Sequence, residues 1–180
     1  MNSRILGLLF VLCLLPATYA ADAADSGAQY KLASGDVLRI TVFGEPDLSF
    51  AKIRLNDAGT FSYPFLGEIS AKGLTPNQVE KIIVNGLKQG YLVDPKVSLS
   101  LIAYRSFYIN GEVQKPGSYP FEPGLTLEKA IALGGGLTER ASIKRVTIVR
   151  GDGSPTLTDT VTRSTAIAPG DTISIAQGFF

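Results

Sequence analysis

The sequence predicts an α+β protein: a small mixed sheet with one packed helix, followed by a second β-rich unit with a helix of its own. Short β-branched and aromatic runs are cut every few residues by Gly, Pro, Asn and Asp, which is the grammar of strands and tight turns. Helix-start signals stand at Thr75 and Thr126. A Gly-Asp turn that opens an apolar strand occurs twice, at Gly35-Asp36 and Gly170-Asp171.

Taken in order, the chain begins with Arg4, a continuous apolar run from Ile5 to Leu15, Pro16, and the small residues Thr18-Tyr19-Ala20. This is the layout of a secretory signal over residues 1–20, cut after Ala20 or, alternatively, after Ala23. The apolar run is shorter than the about 20 residues a membrane span needs, so the mature chain is expected to be exported and soluble. Cys13 has Leu12 before it, where a lipid-attachment cysteine wants a small residue, and it is read as a silent part of the signal. Its removal leaves no thiol, and the loss of Arg4 leaves no net formal charge. Residues 21–29 are small and polar, a flexible leader.

Structure is expected from Tyr30. Gly35-Asp36 feeds a strand in which Leu38, Ile40 and Val42 share one face and Val37, Arg39, Thr41 and Phe43 the other. Turns follow at Gly44 to Asp47 and Asn56 to Gly59, with β character over Ala51–Leu55 and Thr60–Phe65. Thr75-Pro76-Asn77-Gln78 is a capping box with Pro at the first helical position, and Val79, Ile82, Ile83 and Leu87 form the apolar face up to Gly90. Val97, Leu99 and Leu101 then alternate with Ser98, Ser100 and Ile102 in a one-sided strand, and the first unit closes about Arg105.

In the second unit, Phe107-Tyr108-Ile109 is a strand that ends or kinks at Asn110-Gly111. Pro116-Gly117 has the composition of a type II turn, after which Tyr119 and Phe121 resume alternation. Thr126 sits at an N-cap with Glu128 in the first turn, so about two turns of helix should follow, burying Leu127, Ala130, Ile131 and Leu133. Gly134-Gly135-Gly136 comes after this helix, so it reads as a C-terminal cap; a phosphate loop would place it before the helix. Arg145 to Arg150 is a strand with Val146 and Ile148 inward, Thr156 to Thr165 an edge strand plus loop, and Gly170-Asp171 launches the last strand.

Composition narrows function. Lys and Arg total 17 against 16 Asp and Glu, so no basic footprint points to nucleic acid. There is no His, which removes the commonest general base and metal ligand; no cofactor is implied. Asp36 and Asp171 form a conceivable carboxylate pair, but Asp after Gly at a strand start is a turn-capping pattern. Glycoside hydrolysis needs two carboxyls roughly 5 to 9.5 Å apart. Glu68, Glu112, Glu122 and Glu128 lie at turns or helix starts, where solvation and capping account for them. The expected class is not an enzyme.

Tyr30 to Leu101, with SGDVLRITVFGEPDLS, LNDAGTFSYPFLGEISAKGLTPNQVEKII and DPKVSLSL, resembles the polysaccharide biosynthesis/export domain of the Wza-type family of outer-membrane capsule and exopolysaccharide exporters. Phe107 to Ile175, with INGEVQKPGSYPF, LEKAIALGGGL and PGDTISI, resembles the soluble-ligand-binding (SLBB) β-grasp domain that follows it in that family. The implied division is 30–105 and 106–180. The resemblance implies a periplasmic protein associated with the outer membrane, forming or lining a homo-oligomeric ring through which a polysaccharide leaves. Its implied partners are an inner-membrane polysaccharide copolymerase or tyrosine kinase.

The sequence departs from the family pattern in its Cys13 context and in ending five residues after Ile175, short of a membrane-crossing amphipathic helix. The expectation is a short form working with a separate outer-membrane β-barrel porin. The terminal Phe179-Phe180 resembles the aromatic end of a barrel, but a barrel needs at least eight lipid-facing strands. A glycan moving through a ring needs weak, exchangeable contacts, and Tyr63, Tyr91, Tyr104, Arg105, Tyr108 and Tyr119 are the candidate glycan-contacting residues. The alternative is a soluble carbohydrate- or small-ligand-binding β-grasp module with no conduit role.

Overall fold

The computed structural model describes residues 30–158 and 160–178. The signal, leader, Cys13 and Phe179-Phe180 readings therefore lie outside the described residues. No helix among the described residues is long and apolar enough to cross a membrane.

The first half is organised on β1 (Val37–Val42), whose Leu38, Ile40 and Val42 are buried while Arg39 is exposed, the alternation read from the sequence. β1 lies between β2 (Phe50–Arg54) and β5 (Val97–Ala103), antiparallel to both, with Leu38 opposite Ile53 on one side and Leu101 on the other. A single 3₁₀ turn, Pro46–Leu48, connects β1 to β2 and buries Leu48. β3 (Thr60–Tyr63) and β4 (Gly67–Ser70) form a separate antiparallel hairpin.

The β character expected over Thr60–Phe65 stops two residues early, and β4 was not resolved from its surroundings in the sequence. Pro64 has no N–H to give a ladder, and Phe65 turns the chain with φ +64. α1 (Pro76–Leu87) starts with the complete capping box: Thr75 accepts from the Gln78 N–H, and Gln78 accepts from the Thr75 N–H. Val79, Ile83 and Leu87, spaced by four, are buried, and α1 packs on β5. Ile82, expected on that face, is 42% exposed. It lies one step round the cylinder from the 79-83-87 stripe.

The second half is one four-stranded mixed sheet in the order β7-β6-β9-β8. β6 (Phe107–Gly111) and β9 (Thr172–Gln177) run parallel at its centre; β7 (Gly117–Tyr119) and β8 (Ala141–Val149) pair antiparallel at its edges. α2 (Leu127–Leu133) contributes Leu127, Ala130 and Ile131 to the core that also holds Phe107, Ile109, Val146, Ile148, Ile173 and Ile175. This is a β-grasp, and the described residues are α+β, their sheets forming no closed barrel.

Three local expectations are corrected. Gly117 begins β7 without a positive φ, so the type II turn does not form; Gly111, where the strand was expected to end or kink, is left-handed at φ +82. A Cβ there would stand 2.1 Å from the Ile175 carbonyl oxygen, so Gly111 also permits the close approach of β9. Leu133 is exposed, because the seventh residue of α2 has turned away from the sheet. Among the described residues of 156–165, Leu157 bridges to Ile148 and no edge strand is formed. The chain after it serves α2 instead: the Thr165 and Arg163 carbonyls accept from the Leu127 and Glu128 N–H groups, which a helix start leaves without internal partners.

The first core, around Leu38, Ile40, Phe61, Tyr63, Val79 and Ile83, shares no residue with the second.

Candidate functional site

The two Gly-Asp turns have the same construction. In Ala33-Ser34-Gly35-Asp36 and Ala168-Pro169-Gly170-Asp171 the glycine is left-handed, at φ +88 and +83. The Asp N–H donates to the alanine carbonyl at 3.2 Å, and the alanine N–H donates back to the Asp Oδ2 at 2.8 Å, in both turns. Each Asp then reaches the end of the strand antiparallel to its own. Asp36 Oδ1 accepts from the Arg105 N–H at 2.8 Å, two residues past β5, and Asp171 Oδ1 accepts from the Gly151 N–H at 3.2 Å, two residues past β8.

An arginine accompanies each pair: Arg150 lies 2.5 Å from Asp171, and Arg105 4.0 Å from Asp36. Both carboxylates are fully buried and saturated with donors, which is a structural role. The Tyr30 hydroxyl also donates to Asp36, at 2.7 Å from Oδ2, and receives Arg105 Nη1 at 3.3 Å. Burial, and then the Asp36 carboxylate, push the Tyr30 hydroxyl far above its usual range.

Arg105 lies between the two turns. A Cβ on Gly170 would meet Arg105 Nε at 2.4 Å, and one on Gly35 would meet Arg105 Cβ at 3.3 Å. Beside it Tyr104 makes edge contacts with Tyr30 of the first half at 4.9 Å and Phe121 of the second at 5.3 Å. A polar cleft of about 360 Å³ opens along this seam, lined by Arg54, Asp57, Arg105, Ser106 and Tyr108. Tyr108 is 51% exposed. Two of the six candidates, Arg105 and Tyr108, therefore share this cleft, while Tyr104 lines a separate one with Tyr30, Pro76 and Leu101.

The other three are apart. Tyr63 is 2% exposed in the first core, its hydroxyl donating to the Leu48 carbonyl at 2.8 Å, so it presents no ring face to solvent and is assigned to packing. Tyr119 stacks on Phe107 at 5.9 Å and donates to the Lys115 carbonyl. Tyr91 stacks on Phe65 at 4.7 Å, with its hydroxyl 3.4 Å from the Phe65 carbonyl. Among the carboxylates weighed earlier, Glu68 accepts from the Thr60 hydroxyl, Glu112 from the Thr138 hydroxyl, and Glu128 pairs with Arg163 at 3.5 Å.

Sequence reasoning missed Tyr30, Arg54 and Phe121 at the seam and Phe65 beside Tyr91. The repeated Ala-x-Gly-Asp phrase was the usable signal for the seam; no comparable signal marked Phe65.

Residues 24–102 match the family described as polysaccharide biosynthesis/export protein, and residues 106–159 match the SLBB domain. The exopolysaccharide production protein ExoF of Rhizobium meliloti is 37% identical over 149 residues, covering 76% of this chain and 35% of that protein. The EPS I polysaccharide export outer membrane protein EpsA of Ralstonia nicotianae is 26% identical over 181 residues, covering 82% of this chain and 47% of its own. The polysialic acid transport protein KpsD of Escherichia coli is 27% identical over 142 residues, covering 72% and 25%. The chain spans between a quarter and about half the length of these relatives.

Proposed function

The chain belongs to the polysaccharide biosynthesis/export family, its export domain followed by an SLBB domain, and from that membership we propose that it works in exopolysaccharide export as a ring-forming component at the periplasmic side of the outer membrane. The observation that carries this reading is that the two family matches fall in order on two separate cores, which meet where Arg105 lies against Gly170 and Tyr104 against Phe121. We place the division between the two domains at residues 105 and 106. No bond is made or broken in this role. The protein offers surfaces, and the polysaccharide passes over them.

Such passage requires contacts that form and release quickly, since tight binding would stall the chain. Tyrosines that are exposed, as Tyr91 and Tyr108 are, or half-buried, as Tyr104 and Tyr119 are, offer an apolar ring and a hydroxyl that suit that requirement. We assign Tyr91, Tyr104, Arg105, Tyr108 and Tyr119 to it. Arg105 and Tyr108 would act together along the seam cleft, and Tyr104 in the neighbouring one.

A ring closes through heterologous contacts repeated by rotation, and native mass spectrometry with particle imaging of the mature chain reads it directly. The expected result is one closed species with a fixed subunit number. A solitary protomer at high concentration, unchanged by addition of envelope extract, would remove the conduit reading and favour a soluble ligand-binding module. The implied inner-membrane copolymerase or kinase and the outer-membrane barrel are tested by in-cell cross-linking from Tyr108, whose exposure leaves it available.

A further inference from the structure

We infer that the Phe65–Tyr91 pair is a saccharide-binding platform, separate from the seam, that takes a neutral pyranose chain. Phe65 is 63% and Tyr91 48% exposed, yet the two rings are stacked at 4.7 Å with planes 22° apart. Their arrangement is held from both sides. Phe65 is the one non-glycine residue among those described with a positive φ, at +64, where Gly or Asn would be relaxed and a bulky residue is strained. The Tyr91 hydroxyl points at the carbonyl of that same residue. A strained backbone that lifts an aromatic ring into solvent, against a second aromatic ring, buries little and is not explained by packing.

Both rings line two clefts at once. One, of about 700 Å³, is walled by Glu68, Asn85, Gln89 and the exposed Ile82; the other, of about 450 Å³, is walled by Glu45, Asp47 and Leu92. The pair is thus the partition between two open clefts, and a chain molecule lying in both would cross it. Apolar ring faces stack on the C–H faces of a pyranose, while carboxylates and side-chain amides accept from and donate to its hydroxyls; this is the mix of aromatic and sparse polar groups that a ligand cleft uses.

The charges set the preference. The walls hold the carboxylates of Glu45, Asp47 and Glu68, and among the described residues no Lys or Arg lines either cleft. Carboxylates attract hydroxyl donors and repel uronates, so a neutral chain is selected here. The seam cleft, with Arg54 and Arg105, has the opposite character. Saccharide as the ligand class rests on the export reading; the location and the preference for a neutral chain come from the clefts themselves.

The test uses the mature full-length chain, amide chemical-shift mapping, and three probes at equal concentration: β-linked glucose and galactose hexasaccharides and a uronic-acid hexasaccharide. At least one neutral probe is expected to shift residues 64–70 and 85–92, with the uronate leaving them unmoved. Phe65→Ala and Tyr91→Ala should each weaken binding about tenfold, and Tyr91→Phe, which keeps the stack, should bind within about twofold of the original.

Silence at these residues with both neutral probes would overturn the assignment, and so would equal response to the uronate. Loss of subunit number in Phe65→Ala with saccharide affinity unchanged would make the pair a subunit contact instead. Export is scored separately, by restoring polysaccharide secretion to a deletion strain. A chain that binds at the platform yet supports no secretion would defeat the export reading alone, while secretion without binding there would defeat the platform alone.

Discussion

Tyr63 and Tyr30 keep their hydroxyls inside the protein, one donating to the Leu48 carbonyl and the other to the Asp36 carboxylate. Burial pushes Tyr63 from its usual 10.0 up to about 12, and Tyr30 rises further because a carboxylate faces it as well. Above pH 10 the unfolded chain sheds these protons while the folded chain retains them, so the unfolded state binds fewer protons and stability falls as pH rises. For Tyr63 the contribution is whole below about pH 10 and gone near pH 12. Urea titrations across that range should therefore show an alkaline decline that is shallower in Tyr63→Phe by about 1.4 kcal/mol per pH unit, although the variant starts about 1 kcal/mol less stable at neutral pH. Equal slopes would show that the hydroxyl is not buried in solution. At this scale the sequence was least informative: Tyr63, Tyr91 and Tyr108 look alike in a string of letters, and which one is buried depends on strands and turns distant in the chain. Asp36 and Asp171 were legible as turn caps because their partners lie three residues away; Arg105 is 69 residues from Asp36, and nothing local announces it.

α1 and α2 both begin at threonine, yet their starts are built differently. Thr75 has the reciprocal box, whereas the Thr126 side chain accepts from the Lys129 N–H at a long 3.5 Å and the first N–H groups of α2 are met by the Arg163 and Thr165 carbonyls. Thr75→Ala should cost about 1 kcal/mol by thermal or urea unfolding, and Thr126→Ala about half that, since the Arg163 and Thr165 carbonyls that meet the first N–H groups of α2 remain in place. Equal losses would mean that the backbone donors contribute little. Element by element, what could be read was what is local: both caps, the alternation of β1 and of β5, and Val146 and Ile148 on β8. Errors fell where a distant element decides. Gly117 takes no positive φ because it is paired in β7 opposite Ile109, and the Thr-rich stretch before Ile167 is occupied by the helix start it serves.

On the scale of the whole molecule, two cores with no common residue predict two units able to fold apart. Residues 106–178 expressed alone should give a dispersed amide spectrum and a cooperative melt, because β6, β7, β8, β9 and α2 bring their own core with them. A collapsed spectrum would show that the second unit needs the first to fold. The export and SLBB phrases were visible in the sequence in their order, while the seam was not, since it joins Tyr30, Tyr104 and Phe121 across separations that no local pattern spans. That seam has a mechanical meaning. β1 and β9 are interior strands of their sheets, and both start from the paired turns that flank Arg105. Tension passed across the seam is delivered along a middle strand of each half and not peeled from a border, as with a rivet set through the centres of two plates.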